Sequence, residues 1–180
     1  MSKVFTRNRL IGLALAALIA VLDQYVKYLV DGPLGLAREG DKLDLLPFFD
    51  LTRVHNLGIS LGMLQASNTE MRFALVALTG LIALVVLIWL MREKKLADIA
   101  GLALILGGAA GNIRDRWELG YVLDYADFHI HVFGSTFRPF LVFNIADAAI
   151  TIGVIIILAR SLFVRDTDEP NERPVEGTHA

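Results

Sequence analysis

The sequence contains no cysteine, which excludes disulfide bonds, a cysteine nucleophile and zinc sites built on cysteine. It also lacks the His-Glu-x-x-His motif of helical zinc peptidases. Its 19 acidic and 17 basic residues give a net charge of -2, so nothing indicates a nucleic-acid partner. No internal repeat is present, which argues against a carrier built from two similar halves. Acid–base chemistry in this chain therefore depends chiefly on carboxylates.

Hydrophobic residues make up 55% of the chain, and the mean hydropathy is +0.56, values typical of a membrane protein. A helix rises about 1.5 Å per residue, so about 20 apolar residues cross a hydrocarbon core of about 30 Å. Apolar runs of this length predict four transmembrane helices, over about residues 10–30, 72–91, 96–114 and 140–163. The first run continues through Asp23 without a polar cleavage region, so we expect a retained helix rather than a cleaved signal.

The segments between these runs are polar and rich in turns. Residues 31–69 contain several glycines, which indicate turns. In residues 44–54 aromatic and β-branched residues come near to alternation, which predicts one or two short strands. Residues 115–139 form a second loop, and residues 164–180 are charged and predicted to be disordered. We therefore expect an all-α membrane protein with four transmembrane helices and a small extramembrane β-rich segment after the first helix. Residues 1–163 form its single domain.

Basic residues cluster at the N-terminus, between the second and third helices, and in the C-terminal tail. The positive-inside rule then favours both termini in the cytoplasm, with residues 31–69 and 115–139 outside. Asp124 follows the third helix, and Asp147 is predicted to lie about two turns into the fourth. This topology places both aspartates near the outer surface of the membrane.

Two aspartates a few Å apart cannot both ionise easily, so they share one proton. The ionised member can act as a base on water, while the protonated member polarises a carbonyl. This reasoning makes Asp124 and Asp147 a candidate carboxylate pair for peptide hydrolysis. An ion- or proton-coupled carrier using the same carboxylates and a structural membrane subunit are the alternatives.

Other polar residues lie near this pair. Asp23 and Lys27 are spaced i,i+4 and form an expected ion pair that either binds substrate or braces the bundle. Asn112, Asp115 and Arg116 share a face at the end of the third helix, and Asn144 shares a face with Asp147. The asparagines can orient a peptide backbone, and Arg116 can pair with Asp115 or with a lipid phosphate. The third helix is rich in glycine and alanine, which predicts that this helix lies at the centre of the bundle.

Asp127 is a rival to Asp124 as the catalytic member. Asp127, His129 and His131 alternate, so in a strand they would share one face. A metal site is one interpretation of this triplet, and the polarity of an exposed loop is the other.

Four segments, VLDQYVK, HNLG, GGAAGNIRDRWELGYVLDY and FNIADAAI, closely resemble in order and spacing the signature segments of the lipoprotein signal peptidase (signal peptidase II) family. The resemblance implies a monomeric aspartic peptidase of the bacterial cytoplasmic membrane, surrounded by membrane lipids, with no metal or organic cofactor. Members of this family cleave prolipoproteins on the N-terminal side of a diacylglyceryl-modified cysteine.

The same resemblance assigns roles to individual residues. Asp124 and Asp147 match the catalytic aspartates. The residues expected to bind substrate or support the site are Asn56, Gly58, Asn112, Arg116, Asn144, Asp23, Lys27 and Asp115. The chain departs from the family pattern at His55, Leu57 and residues 59–61, and Tyr125 replaces a phenylalanine. We expect the departures around Asn56 to affect substrate selectivity more than catalysis.

Overall fold

The computed structural model describes residues 5–58, 69–132 and 134–163. Within these ranges the elements, in chain order, are α1 (Arg7–Asp31), β1 (Lys42–Leu46), β2 (Phe49–Asn56), α2 (Thr69–Arg92), α3 (Leu96–Glu118), β3 (Val122–Phe128), β4 (Ile130–Val132), β5 (Ser135–Phe137) and α4 (Ile145–Phe163). All four helices are long and apolar enough to cross a membrane. The predicted fold class is therefore confirmed. The tail predicted to be disordered lies outside the described residues.

Helix α3 lies at the centre of the bundle and packs against α1, α2 and α4. Glycines make the close approach possible. A Cβ atom at Gly107 would lie 2.5 Å from the carbonyl oxygen of Ala16 in α1. A Cβ at Gly108 would collide with the carbonyl oxygen of Ala146 in α4. Small residues thus bring two helices into backbone contact with α3, as the composition of α3 predicts.

The outward surfaces of the helices are apolar, as expected for helices that face lipid. Leu81 and Val85 of α2 and Ile155 of α4 are among many large apolar residues with exposed side chains. The buried apolar cluster between the helices centres on Leu90, Ile99 and Leu102. A second cluster joins the end of α1 to the strands.

A three-stranded antiparallel sheet, in the order β1-β2-β3, covers one end of the bundle. Strand β2 pairs with β3 in a register that places Val54 opposite Asp124 and Asn56 opposite Val122. Strands β4 and β5 form a separate antiparallel pair. The predicted β-rich segment after the first helix is therefore present, but the sheet also takes β3 from the segment expected to be a loop.

Burial explains why β3 is hard to recognise in the sequence. Every residue from Val122 to Asp127 is buried, so the strand has no solvated face and no alternation of polar and apolar residues. Its two buried aspartates make the segment resemble a polar loop.

The predicted start of the fourth helix at residue 140 is wrong, because α4 begins at Ile145. Phe143 instead pairs with Ala126 of β3, and its N–H donates to the Ala126 carbonyl at 3.2 Å. Asn144 Oδ1 then accepts the backbone N–H of Asp147 at 2.9 Å, as a helix N-cap does. Asp147 consequently lies in the first turn of α4 rather than two turns into it. Helix α3, for its part, continues to Glu118 beyond its predicted end at 114.

The glycine contacts generate a stability prediction. Gly108→Ala places a methyl group against the Ala146 carbonyl, and overpacking of this kind destabilises a protein by about 1–3 kcal/mol. The control is Gly80→Ala in α2, where an added Cβ meets no atom within 4 Å. We expect chemical denaturation in detergent to show a lower free energy of unfolding for Gly108→Ala only. Equal stability of the two variants would contradict the close α3–α4 packing.

Candidate active site

Asp124 and Asp147 line the same cavity, which has a volume of about 1510 Å³. The cavity lies where β2 and β3 meet α2, α3 and α4. Asp124 comes from the middle of β3 and is only 2% exposed, whereas Asp147 is half-buried in the first turn of α4. The fold thus brings together two carboxylates from separate elements.

Asparagine amides hold Asp124. Asn144 Nδ2 donates to Asp124 Oδ1 at 2.7 Å, and Asn56 Nδ2 donates to Asp124 Oδ2 at 3.0 Å. Asn56 is fixed in turn, because its Oδ1 accepts the backbone N–H of Gly58 at 3.1 Å. The Asp124 carboxyl is therefore oriented through both oxygens.

An asparagine bridge connects the two aspartates. Asn112 Nδ2 donates to Asp147 Oδ1 at 2.8 Å, and Asn112 Oδ1 accepts from Asn144 Nδ2 at 3.2 Å. Since Asn144 Nδ2 also bonds to Asp124, the order across the site is Asp147, Asn112, Asn144, Asp124. The predicted association of these four residues is present in the structure.

Burial, together with the negative charge of neighbouring Asp147, raises the pKa of Asp124 to about 7. The amides of Asn56 and Asn144 oppose this shift because they stabilise the ionised carboxylate. Desolvation is the largest effect, so the neutral form of Asp124 is favoured up to about neutral pH. This residue is therefore suited to hold a proton.

Behind the asparagine bridge lies a buried lysine. Lys27 Nζ is 2.8 Å from Asp23 Oδ2, 2.7 Å from Asp115 Oδ2 and 3.2 Å from Asn112 Oδ1. The lysine is 4% exposed, so its side chain is enclosed by the protein. Three acceptors surround an ammonium group that has three N–H donors, which compensates for its burial.

The two carboxylates bound to Lys27 also reach the backbone beside the candidate catalytic aspartates. Asp23 Oδ1 accepts the N–H of Ala146 at 3.0 Å, immediately before Asp147. Asp115 Oδ2 accepts the N–H of Leu123 at 3.1 Å, immediately before Asp124. One cation thus anchors the chain next to both members of the pair.

Arg116 lies one turn after Asn112 on α3 and contacts a different part of the chain. Its Nη2 donates to the carbonyl of Gly58 at 2.9 Å, instead of to Asp115 as one prediction had it. Within the described ranges its buried Nε has no hydrogen-bond partner. Arg116 is one of the residues that line the cavity, so its positive charge lies beside the two aspartates.

Asp127, the alternative catalytic aspartate, and His129, of the alternative metal site, have partners outside the Asp124–Asp147 pair. Asp127 accepts from Thr52 Oγ1 at 3.0 Å and from Arg138 Nε at 3.1 Å. His129 Nδ1 lies 3.2 Å from Asp50 Oδ2. In the part of the chain that the structure describes, no group of three His, Cys, Asp or Glu side chains could hold a metal ion.

Gln24 is a site residue that the motif comparison did not select. Its Nε2 donates to Asp115 Oδ1 at 2.8 Å, and Arg114 Nη1 donates to its Oε1 at 2.7 Å. The side chain therefore supports one of the two carboxylates that bind Lys27. Its position next to Asp23 in an apolar helix was the available sequence signal.

Comparison with known proteins identifies the family. The family model described as signal peptidase (SPase) II matches residues 15–163. The lipoprotein signal peptidase of Rhizorhabdus wittichii is 47% identical over 92% of this chain and 93% of its own length. That of Sphingopyxis alaskensis is 48% identical over 85% of this chain and 86% of its own length.

A solved structure agrees with these matches. A bacterial membrane enzyme structure determined by the in meso method at 2.3 Å is 28% identical, with a TM-score of 0.72 over 92% of this chain and 94% of that one. The chain therefore belongs to the signal peptidase II family and is a multi-pass bacterial membrane protein of the aspartic protease class.

Proposed function

We propose that this protein is an intramembrane aspartic endopeptidase that removes signal peptides from diacylglyceryl-modified prolipoproteins. Cleavage occurs on the N-terminal side of the lipidated cysteine. The observation that carries this proposal is the Asp124–Asn144–Asn112–Asp147 arrangement at a cavity between membrane-length helices. The lipoprotein signal peptidases that the chain resembles support the substrate class.

The different surroundings of the two aspartates suggest their roles. Asp124 is the more buried and has the raised pKa, so we assign it the shared proton. Asp147 is half-buried and accepts one amide hydrogen bond, so it can contact water as the base.

The reaction then has two proton transfers. Asp147 takes a proton from water as the water oxygen attacks the scissile carbonyl carbon, and Asp124 gives its proton to the carbonyl oxygen. Collapse of the tetrahedral intermediate breaks the C–N bond, and the proton on Asp147 passes to the leaving nitrogen. Asp124 regains its proton from the collapsing intermediate, so both residues return to their starting states. No metal or organic cofactor takes part.

The cavity matches a lipidated, partly apolar substrate. Ile82 of α2, Ile105 of α3 and Ile152 of α4 line its helical part, while Asn56 lines its strand end. We assign the apolar part to the signal peptide and the acyl chains, and the strand end to the polar chain that follows the cysteine. The protein acts as a monomer among membrane lipids.

The orientation is the one that the basic residues favour. Arg92, Lys94 and Lys95 lie in or beside the α2–α3 connection, and Arg9 Nε donates to the Glu93 carbonyl there at 3.2 Å. The N-terminus and this connection therefore share one end of the bundle, opposite the sheet. The positive-inside rule supports both termini in the cytoplasm and the catalytic pair near the outer face.

The first prediction concerns the catalytic pair. Asp124→Asn and Asp147→Asn each remove an acid–base group, so each should lower kcat for a diacylglyceryl-modified precursor by about 10²–10⁴-fold. Asp127→Asn is the matched control and should retain cleavage. Normal turnover by either catalytic variant would refute the proposal. Ion flux through proteoliposomes without cleavage would instead favour a carrier.

A serine mechanism is tested in the same assay. Residues 58–62 read Gly-Ile-Ser-Leu-Gly, which has the spacing of a serine nucleophile motif, although residues 59–62 lie outside the described ranges. The aspartate mechanism predicts that Ser60→Ala retains cleavage. Loss of the reaction in Ser60→Ala, with activity kept in Asp124→Asn, would favour the serine.

A pH profile tests the role of Asp124. Its pKa of about 7 means that it holds its proton below neutrality and loses it as the pH rises. If protonated Asp124 donates to the carbonyl, kcat/KM should fall about tenfold per pH unit above about 7. Asp127→Asn should keep the same descending limb. A rate that stays constant well above this pKa would contradict the assignment.

A further prediction concerns Lys27. Lys27→Met leaves the carboxylates of Asp23 and Asp115 buried without their cation, a change that costs about 3–5 kcal/mol. We expect a large loss of unfolding free energy in detergent. Lys94→Met, in the exposed connection after α2, should have little effect. Equal stability of the two variants would show that the buried cluster does not brace the fold.

A further inference from the structure

One charged side chain that lines the cavity is distant in sequence from the candidate catalytic residues and, unlike them, is exposed to solvent. Among the described residues that line the cavity, the charged ones are Glu39, Arg116, Asp124 and Asp147. The last three form the buried site, but the Glu39 side chain is 62% exposed. Glu39 lies in the connection between α1 and β1, at the strand end of the cavity.

His55 holds a fixed position beside Glu39. Its ring stacks on Tyr121 with centroids 3.9 Å apart, and its Nε2 accepts from Arg53 Nε at 3.0 Å. The acceptor role of Nε2 leaves the hydrogen of the neutral ring on Nδ1. Nδ1 lies 3.6 Å from Glu39 Oε2, so the histidine presents a polar N–H toward the carboxylate.

The negative charge of Glu39 is not cancelled by these neighbours. Burial lowers the pKa of His55; the charge of Glu39 opposes this shift but does not outweigh it, so the ring is neutral at neutral pH. Arg53 itself is buried and forms an ion pair with Asp31. The rim of the cavity therefore carries a net negative charge where it meets water.

The position of Glu39 at the strand end of the cavity places its charge near the part of the substrate that follows the lipidated cysteine. Away from the two aspartates, isoleucines of α2, α3 and α4 line the cavity between the helices, so we expect the polar chain after the lipidated cysteine to leave at the strand end, past Glu39 and His55. This step rests on the proposed function. We propose that Glu39 is a specificity-determining residue that favours Lys or Arg, and disfavours Asp or Glu, in the first few positions after the cysteine.

The expected preference is modest because Glu39 is exposed. An exposed ion pair changes an equilibrium constant by about 1.4- to 5-fold. Replacing a basic residue by an acidic one removes an attraction and adds a repulsion, so the two effects multiply. We expect kcat/KM to differ by about three- to tenfold between basic and acidic precursors at low salt.

The test uses two diacylglyceryl-modified precursors that differ only in carrying two lysines or two glutamates directly after the cysteine. Uncharged detergent micelles avoid attraction of the basic precursor to anionic lipid. The wild-type protein should cleave the basic precursor about three- to tenfold faster at about 0.01 M salt. The difference should shrink at about 1 M salt, where the Debye length is about 3 Å.

Variants separate Glu39 from other charges. Glu39→Gln should bring the ratio of kcat/KM values close to one, and Glu39→Lys should reverse it. Glu118→Gln is the matched control, because Glu118 is 51% exposed but pairs with Arg114 away from the cavity. It should keep the wild-type ratio.

Two results would overturn the inference: equal cleavage of both precursors by the wild-type protein, or an unchanged preference in Glu39→Gln. Both leave the proposed function intact, because cleavage still occurs. Failure of the wild-type protein to cleave either precursor would instead overturn the proposed function, and the inference with it.

Discussion

The candidate site depends on the buried ion pairs that the ammonium group of Lys27 forms with Asp23 and Asp115. Burying a charge costs several kcal/mol, and here two carboxylates and an amide oxygen surround it. Because Asp23 and Asp115 also bind the backbone next to Asp147 and Asp124, the cation fixes α4 and β3 relative to α1 and α3. Helices that approach through glycine bring these groups within bonding distance.

The sequence was most informative where residues lie close together along one element. The i,i+4 spacing of Asp23 and Lys27 predicted their ion pair. The i,i+3 spacing of Asn144 and Asp147 predicted that they share a helix face, and the two residues do contact each other, although Asn144 caps α4 instead of lying inside it. Apolar runs of sufficient length predicted the four helices. Each of these patterns depends only on the spacing of residues along one helix, which can be read from the sequence.

Contacts between distant elements were harder to predict. Nothing in the spacing of Asp115 shows that it pairs with Lys27 rather than with Arg116. Strand β3 lacks alternation because both of its faces are buried, and Asn144 looks like a residue inside a helix although it caps one. No pattern in the sequence distinguishes Glu39, since its relation to the cavity arises only when the α1–β1 connection folds against β2. Topology and carboxylate chemistry pointed to Asp124 and Asp147 as a candidate pair, and the family resemblance favoured Asp124 over Asp127.

The asparagine bridge has a consequence for the path of the proton. A primary amide neither gains nor loses a proton at physiological pH, so Asn112 and Asn144 can align the two carboxylates but cannot relay a proton between them. A histidine in place of either asparagine could accept and release a proton. The hydrogen bonds of Asn112 and Asn144 therefore set the orientation of the two carboxylates without themselves carrying the proton that Asp124 and Asp147 share.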